Sequence, residues 1–174
     1  VGVAFLLGAA LVRTLRGRGW FAEKAEPDLM ALLDLVALGT VADVAQLKGL
    51  NRAFVAQGLK VMARRGNIGL SALADVARLK TAPGAHELGF ALGPRINAGG
   101  RVGQADLGVR LLTTSDASEA RDISAELDRL NEERRAIEAA VTEQALELSE
   151  GTANAPIAIV SAPGWHPGVI GIVA

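Results

Sequence analysis

Two arginines and an asparagine, Arg95, Asn97 and Arg101, lie within a nine-residue stretch that otherwise consists of small and apolar residues. A guanidinium group is a planar fork that suits phosphate oxygens, and the three glycines of the stretch leave room for a nucleic-acid backbone. The competing interpretation is that the arginines pair with acidic residues and brace a junction. In one continuous helix the two arginines would lie on different faces, whereas a break at Gly99 and Gly100 would let both face one groove.

Asp43 ends the apolar run that begins at Leu35. An unpaired charge in apolar surroundings is costly, so this carboxylate needs a partner. A divalent metal ion is one such partner, and the backbone N–H groups of a turn are another. The residues alone leave both interpretations open.

Trp165 and His166 precede a glycine-containing segment, 168–171, near the end of the chain. A strand that runs into a helix start presents backbone N–H groups to an anion, and Trp165 could stack on a base. The alternative is a tryptophan packed in a domain core beside a surface histidine.

The composition limits the possible functions. The chain has 174 residues, half of them apolar, with a formal net charge of −1 and no cysteine. Disulfides and thiolate metal sites are therefore excluded, and a cytosolic protein fits this pattern. A nucleic-acid groove would have to come from local arginines. No apolar run is long enough to predict a membrane span.

The apolar pattern predicts a mostly helical chain. Val3–Leu15 predicts a buried helix, a second helix opens at Pro27 and Asp28 and runs to Gly39, and Asn51 is predicted to cap a third. Shorter helices are predicted over 70–79, 86–97 and 105–112.

The clearest prediction is a long helix from Asp116 to Glu150. Asp116 and Glu119 resemble a capping box, and the helix would span about 50 Å. Its single apolar stripe suits a helix between two bodies rather than a core element. A turn over 151–156, a buried strand over Ile157–Val160 and a helix from Gly168 onward then predict the start of an α/β domain.

Three stretches, Leu35–Asp43, Gly93–Arg101 and Gly164–Ala174, resemble the RecJ family, the single-strand-specific DNA exonucleases of the DHH phosphoesterase superfamily. The resemblance implies an α/β fold for the intact protein, of which this chain is a mostly α-helical piece. Residues 1–114 would be the C-terminal part of a DHH domain, 115–150 a connecting helix, and 151–174 the truncated start of a DHHA1 domain. Because the chain begins inside a helix pattern and stops where another begins, we expect an internal fragment.

The resemblance implies hydrolysis of single-stranded DNA from its 5′ end, with two Mn²⁺ or Mg²⁺ ions, in DNA repair and recombination. Asp43 matches the last metal ligand of the family, and Arg95, Asn97 and Arg101 match a motif that contacts the DNA or its terminal phosphate. This chain has Ala98-Gly99-Gly100-Arg101 where the family usually has Ala-Ala-Gly-Arg.

The family's Asp-x-Asp and Asp-His-His motifs are absent from this sequence. We therefore expect the fragment alone to bind no ion pair and to be inactive. The resemblance also implies single-stranded DNA as substrate, a cytoplasmic location, and a single-strand-binding protein or helicase as partners.

Two alternatives remain. One is another DHH phosphoesterase that acts on short oligonucleotides or cyclic dinucleotides, although the long helix and the Trp165–Gly168 string argue against it. The other is a non-catalytic DHH-like scaffold.

Overall fold

The computed structural model describes residues 1–150 and 157–174. Its α-helices are α1 Gly2–Gly17, α2 Leu33–Ala42, α3 Gly49–Met62, α4 Ile68–Val76, α5 Ala85–Glu87, α6 Gly93–Val102, α7 Leu107–Thr113, α8 Ala117–Ser149 and α9 Pro167–Val173. A 3₁₀ turn, Leu29–Leu32, precedes α2, and a π-helical segment, Leu88–Leu92, joins α5 to α6. These ranges contain no β-strand, which confirms the prediction of a mostly α-helical piece. No helix among them is long and apolar enough to cross a membrane.

Two helix starts differ from the predictions. Helix α2 begins at Leu33 rather than at Pro27, because Asp28 caps a 3₁₀ turn that comes first. Asn51 does not cap α3, which begins two residues earlier at Gly49. Its side-chain amide instead donates a hydrogen bond of 3.1 Å to the carbonyl of Gln46. An asparagine does cap α4, where the Asn67 side chain accepts a hydrogen bond from the N–H of Leu70 at 2.9 Å.

Helix α1 is not the buried helix that its apolar sequence predicts. Only Val12 is buried, whereas Val3 and Leu7 are 82% and 71% exposed. A helix that is apolar on all sides needs partners on all sides. Here α1 contacts α2 and the 3₁₀ turn, and Phe5 meets Phe54 of α3 edge to face.

The core lies where α2, α3, α4, α6, α7 and α8 meet. Its fully buried large side chains include Leu73, Leu88, Leu92, Leu111 and Leu127. Some helices approach at backbone distance. A Cβ at Gly58 of α3 would lie 2.1 Å from the Leu33 carbonyl oxygen of α2, so only glycine allows this contact.

The first half of helix α8 belongs to the core, and its second half extends beyond the helical body. The prediction that α8 is not a core element is therefore wrong for the first half. Ile123, Leu127 and Leu130 are buried against the helical body, while Leu146 and Leu148 are largely exposed. The body covers the apolar stripe over about the first four turns, Val141 is buried further along, and the stripe is exposed at Leu146 and Leu148.

The start of α8 is capped as predicted, but by half of a capping box. Asp116 accepts from the N–H groups of Ser118 at 2.7 Å and Glu119 at 3.4 Å. The Glu119 carboxylate does not accept a hydrogen bond from the Asp116 N–H. It accepts instead from the Thr114 hydroxyl at 2.6 Å and from Arg110 at 3.0 Å.

The strand predicted over Ile157–Val160 is not formed. A strand needs a neighbour for its N–H and C=O groups, and no other described segment is extended beside it. Ile157 and Ile159 are 74% and 90% exposed. The predicted turn over 151–156 lies outside the described residues. The helix predicted from Gly168 is confirmed as α9, with Pro167 in its first turn.

Asp34 is a buried acid in α2, 3% exposed, and its Oδ1 accepts from the N–H of Leu35 at 2.7 Å. Burial raises the pKa of this carboxyl, and backbone hydrogen bonds only partly oppose that shift. Because the pKa of Asp34 is higher in the folded than in the unfolded chain, protonation of this carboxyl stabilises the fold. This stabilisation is complete below the ordinary pKa near 4 and is lost as the pH rises through the folded-state pKa.

We therefore expect Asp34→Asn to raise the free energy of unfolding at pH 7 relative to wild type, with the gain shrinking towards pH 4. Urea unfolding at both pH values measures the difference. Asp122→Asn, at an exposed position of α8, is the matched control and should show no such dependence. A gain of equal size at both pH values would contradict the ionisation argument.

Candidate nucleic-acid interface

Helix α2 ends in a tight reversal directly after Asp43. The N–H groups of Ala45 and Val44 donate to the carbonyls of Thr40 and Val41 at 3.1 and 3.0 Å, which is the Schellman arrangement. The left-handed position usually held by glycine is Val44, with φ of +56°. A β-branched residue there costs on the order of 1–3 kcal/mol, so the reversal is maintained against strain.

Asp43 itself is exposed. Its N–H donates to the carbonyl of Gly39 at 3.2 Å, but its carboxylate forms no hydrogen bond or ion pair with the described residues. The interpretation that the Asp43 side chain caps a turn is therefore wrong. The role as a metal ligand stays a prediction.

The chain does not provide a complete metal site. Within the described ranges, no three His, Cys, Asp or Glu side chains cluster closely enough to hold an ion. Mg²⁺ takes six oxygen ligands in an octahedron, so one carboxylate fills only part of its coordination shell. Asp43 is suited to supply one oxygen ligand, and any further protein ligands would have to come from outside these residues.

The Asp43 region packs directly on the start of α6. A Cβ at Gly93 would lie 3.0 Å from the Ala42 Cβ and 2.8 Å from the Leu88 carbonyl oxygen, and one at Gly89 would lie 3.5 Å from Val41. Glycine at position 93 thus allows the last turn of α2 to contact α6. Two of the three sequence motifs are adjacent for this reason.

The helix that contains the arginine motif is continuous. Residues 85–102 are helical throughout, with the π segment over Leu88–Leu92. Gly99 does not break it but packs tightly, since a Cβ there would lie 3.2 Å from the Leu127 side chain of α8. Arg95 and Arg101, six residues apart, therefore point about 120° apart around the helix, and they do not face one groove together.

Arg95 forms the ion pair of the competing interpretation. Its Nε donates to Asp128 Oδ1 of α8 at 2.7 Å, and its Nη1 donates to the Ala91 carbonyl at 2.8 Å. The side chain is 18% exposed. Nη2 has no hydrogen-bond partner among the described residues.

Asn97 and Arg101 lie four residues apart and share one face of α6. Both are exposed, and the Asn97 amide has no partner in the described part of the chain. Arg101 Nη1 donates to the Gly168 carbonyl of α9 at 3.0 Å. A Cβ at Gly168 would lie 2.1 Å from the Arg101 carbonyl oxygen, so α9 also docks on α6 through a glycine.

Trp165 and His166 both have structural contacts. Trp165 Nε1 donates to Gln144 Oε1 of α8 at 2.6 Å. His166 Nδ1 accepts from the N–H of Gly168 at 3.1 Å and caps α9. Trp165 is half-buried and therefore not a core residue of the described chain. A role in binding nucleic acid stays a prediction for both residues.

The chain is similar to curated exonucleases over its whole length, although no family model matches it. It is 47% identical over 183 residues to the single-stranded-DNA-specific exonuclease RecJ of Dickeya dadantii and 45% identical over 184 residues to that of Escherichia coli. It covers 32% of either protein. The similarity to RecJ of Thermus thermophilus is 40% identity over 173 residues and 24% of that protein.

Solved structures agree. RecJ of Thermus thermophilus in complex with Mn²⁺ superposes on 90% of this chain with a TM-score of 0.78 and 38% identity, and the match covers 23% of that chain. An exonuclease RecJ bound to manganese gives 0.77 and 39% identity, over 90% of this chain and 39% of the other.

These relatives define one class of protein, the single-stranded-DNA-specific exonucleases. The resemblance to the RecJ family is therefore confirmed, and the chain corresponds over its whole length to part of a RecJ-family protein. It spans about a third of the length of the first of these curated relatives.

The Arg95–Asp128 pair yields a test. In a double-mutant cycle with Arg95→Ala and Asp128→Ala, we expect a coupling of about 1 kcal/mol in the free energy of unfolding, because the pair is partly shielded from solvent. Arg129 and Glu126 form a more exposed pair on α8 and should couple by less than about 0.5 kcal/mol. Coupling near zero for Arg95 would mean that the ion pair does not hold α6 to α8.

Proposed function

We propose that this chain is the part of a RecJ-type exonuclease that supplies one metal ligand and a set of contacts to the DNA backbone. The observation that carries the proposal is the position of α6 between the two other motifs. Its first turn contacts the end of α2 beside Asp43, and its last turn contacts α9. The three stretches that resemble the family are thus packed in contact with one another.

The intact protein, in this proposal, degrades single-stranded DNA from the 5′ end by a two-metal mechanism. Two Mn²⁺ or Mg²⁺ ions would activate the attacking water and stabilise the charge that develops on the phosphate. The residue of this chain suited to bind one ion is Asp43, exposed directly before a strained reversal. Solved relatives with Mn²⁺ and with Mg²⁺ support this choice of metals.

The proposed DNA contacts are the exposed Asn97 and Arg101 together with the unpaired Nη2 of Arg95. Arginine and asparagine side chains commonly donate to phosphate oxygens, and such contacts position a strand without reading its sequence. This suits an enzyme that must accept any sequence. The ion pair with Asp128 then serves to orient Arg95 rather than to replace its role.

The proposal extends to the cell. We place the intact protein in the cytoplasm, in DNA repair and recombination, with a single-strand-binding protein or a helicase as partner. The absence of cysteine agrees with a location of the protein in a reducing compartment. Relatives that are 40–47% identical and named for single-stranded DNA favour this substrate over cyclic dinucleotides.

The metal assignment predicts that Asp43→Ala, in a full-length protein that contains this chain, abolishes Mn²⁺-dependent digestion of single-stranded DNA. The fold should be unchanged, because the exposed carboxylate forms no hydrogen bond or ion pair with the described residues. Nuclease assays and circular dichroism measure the two effects, with Asp122→Ala as the control at an exposed position. The 174-residue chain alone should be inactive, and Asp43-dependent digestion by that chain would refute the proposed division of ligands.

The backbone contacts predict a change in salt dependence. Arg101→Ala should flatten the plot of log K against log salt by about 0.7 for single-stranded DNA, the slope that one phosphate contact contributes. The loss should be similar for all sequences. Arg121→Ala, at an exposed position of α8, is the control. An unchanged slope with a lower melting temperature would assign Arg101 to the α6–α9 junction alone.

A further inference from the structure

Phe90 is an aromatic side chain displayed in solvent, 76% exposed. It lies in the middle of the π-helical segment, whose other large side chains, Leu88 and Leu92, are fully buried. Folding gains little from an exposed phenylalanine, which keeps most of its apolar surface in water. π-Helical turns are rare and are frequently found at functional sites. The backbone and the exposure therefore both single out this residue.

The ring is also held in place. His86, one turn earlier, stacks on Phe90 with ring centroids 4.8 Å apart and an interplanar angle of 29°. A histidine on one side restricts the rotation of the phenyl ring. Among the described residues only His86 stacks on this ring, and 76% of Phe90 is left uncovered by them.

The neighbours of Phe90 relate it to the proposed interface. Gly89 packs against Val41, and Gly93 packs against Ala42, the residue before Asp43. Phe90 therefore belongs to the segment that contacts the end of α2. The same continuous helix carries the exposed Asn97 and Arg101 at its other end. The side chains proposed to bind the DNA backbone and an exposed aromatic ring thus lie on one helix.

We propose that Phe90, supported by His86, is a stacking platform for a base of single-stranded nucleic acid. This inference rests on the proposed function and adds a base contact to its phosphate contacts. Aromatic rings stack on any base because every base has a π face. A nuclease that accepts all sequences can use such a contact to hold a strand without selecting among bases.

The test is equilibrium binding by a full-length protein that contains this chain, in EDTA so that no strand is cut. The probes are a fluorescein-labelled single-stranded oligonucleotide and an otherwise identical oligonucleotide with abasic sites. Phe90→Ala should weaken binding of the first about tenfold, the effect of losing one stack, and should leave binding of the second nearly unchanged. Phe90→Trp should restore the affinity.

Two further measurements separate stacking from a structural role. An oligonucleotide with 2-aminopurine should be quenched on binding to wild type and to Phe90→Trp, and less so with Phe90→Ala. Val109→Ala is the control, because it shortens a side chain that is 66% exposed on α7. It should change neither affinity nor quenching.

The outcomes are distinct. Equal affinity of wild type and Phe90→Ala for the normal oligonucleotide would overturn the stacking role and leave the proposed function intact. An equal loss for normal and abasic strands would also overturn it, because a structural defect does not depend on bases. A wild-type protein that binds no single-stranded DNA would overturn both proposals.

Discussion

Close helix contacts at two glycines determine the arrangement of this protein's motifs. Gly168 brings α9 against the backbone of α6, since a Cβ there would lie 2.1 Å from the Arg101 carbonyl oxygen and would force the two helices apart. Gly93 brings the start of α6 against α2, where a Cβ would lie 3.0 Å from the Ala42 Cβ, so these helices would have to shift by a few tenths of an ångström. Because α6 is held at both ends in this way, the side chains along its length keep fixed positions relative to Asp43.

The arginine motif shows how structural and functional contacts coexist in one short helix. Of the three nitrogens of Arg95, Nε binds Asp128 of α8, Nη1 binds the Ala91 carbonyl of the preceding π-helical segment, and Nη2 has no partner among the described residues. The ion pair is only partly shielded, which limits its contribution to stability. Its geometric effect is larger, since it fixes a long side chain whose rotamer freedom would otherwise oppose binding.

Backbone strain occurs near the same surface, as it also does at Arg65 and Arg78 after α3 and α4. Val44 occupies a left-handed conformation directly after Asp43, and the π segment interrupts the regular hydrogen bonding of the helix that leads to α6. Both features reduce stability in isolation, and the surrounding core must compensate for them. Strain of this kind is typical of sites where a side chain must be presented in one direction, which agrees with the roles proposed for Asp43 and Phe90.

The sequence by itself determined the family, most helices and the position of the long helix α8, because apolar periodicity and short motifs are local properties. Tertiary structure decided the rest. Whether Gly99 breaks or packs a helix depends on Leu127, and whether α1 and Ile157–Val160 are buried depends on partners that no local pattern reveals. The partner of Arg95 lies 33 residues away in the chain. Nothing local marked Phe90, since its exposure follows from a π-helical turn that only packing against α2 and the core defines.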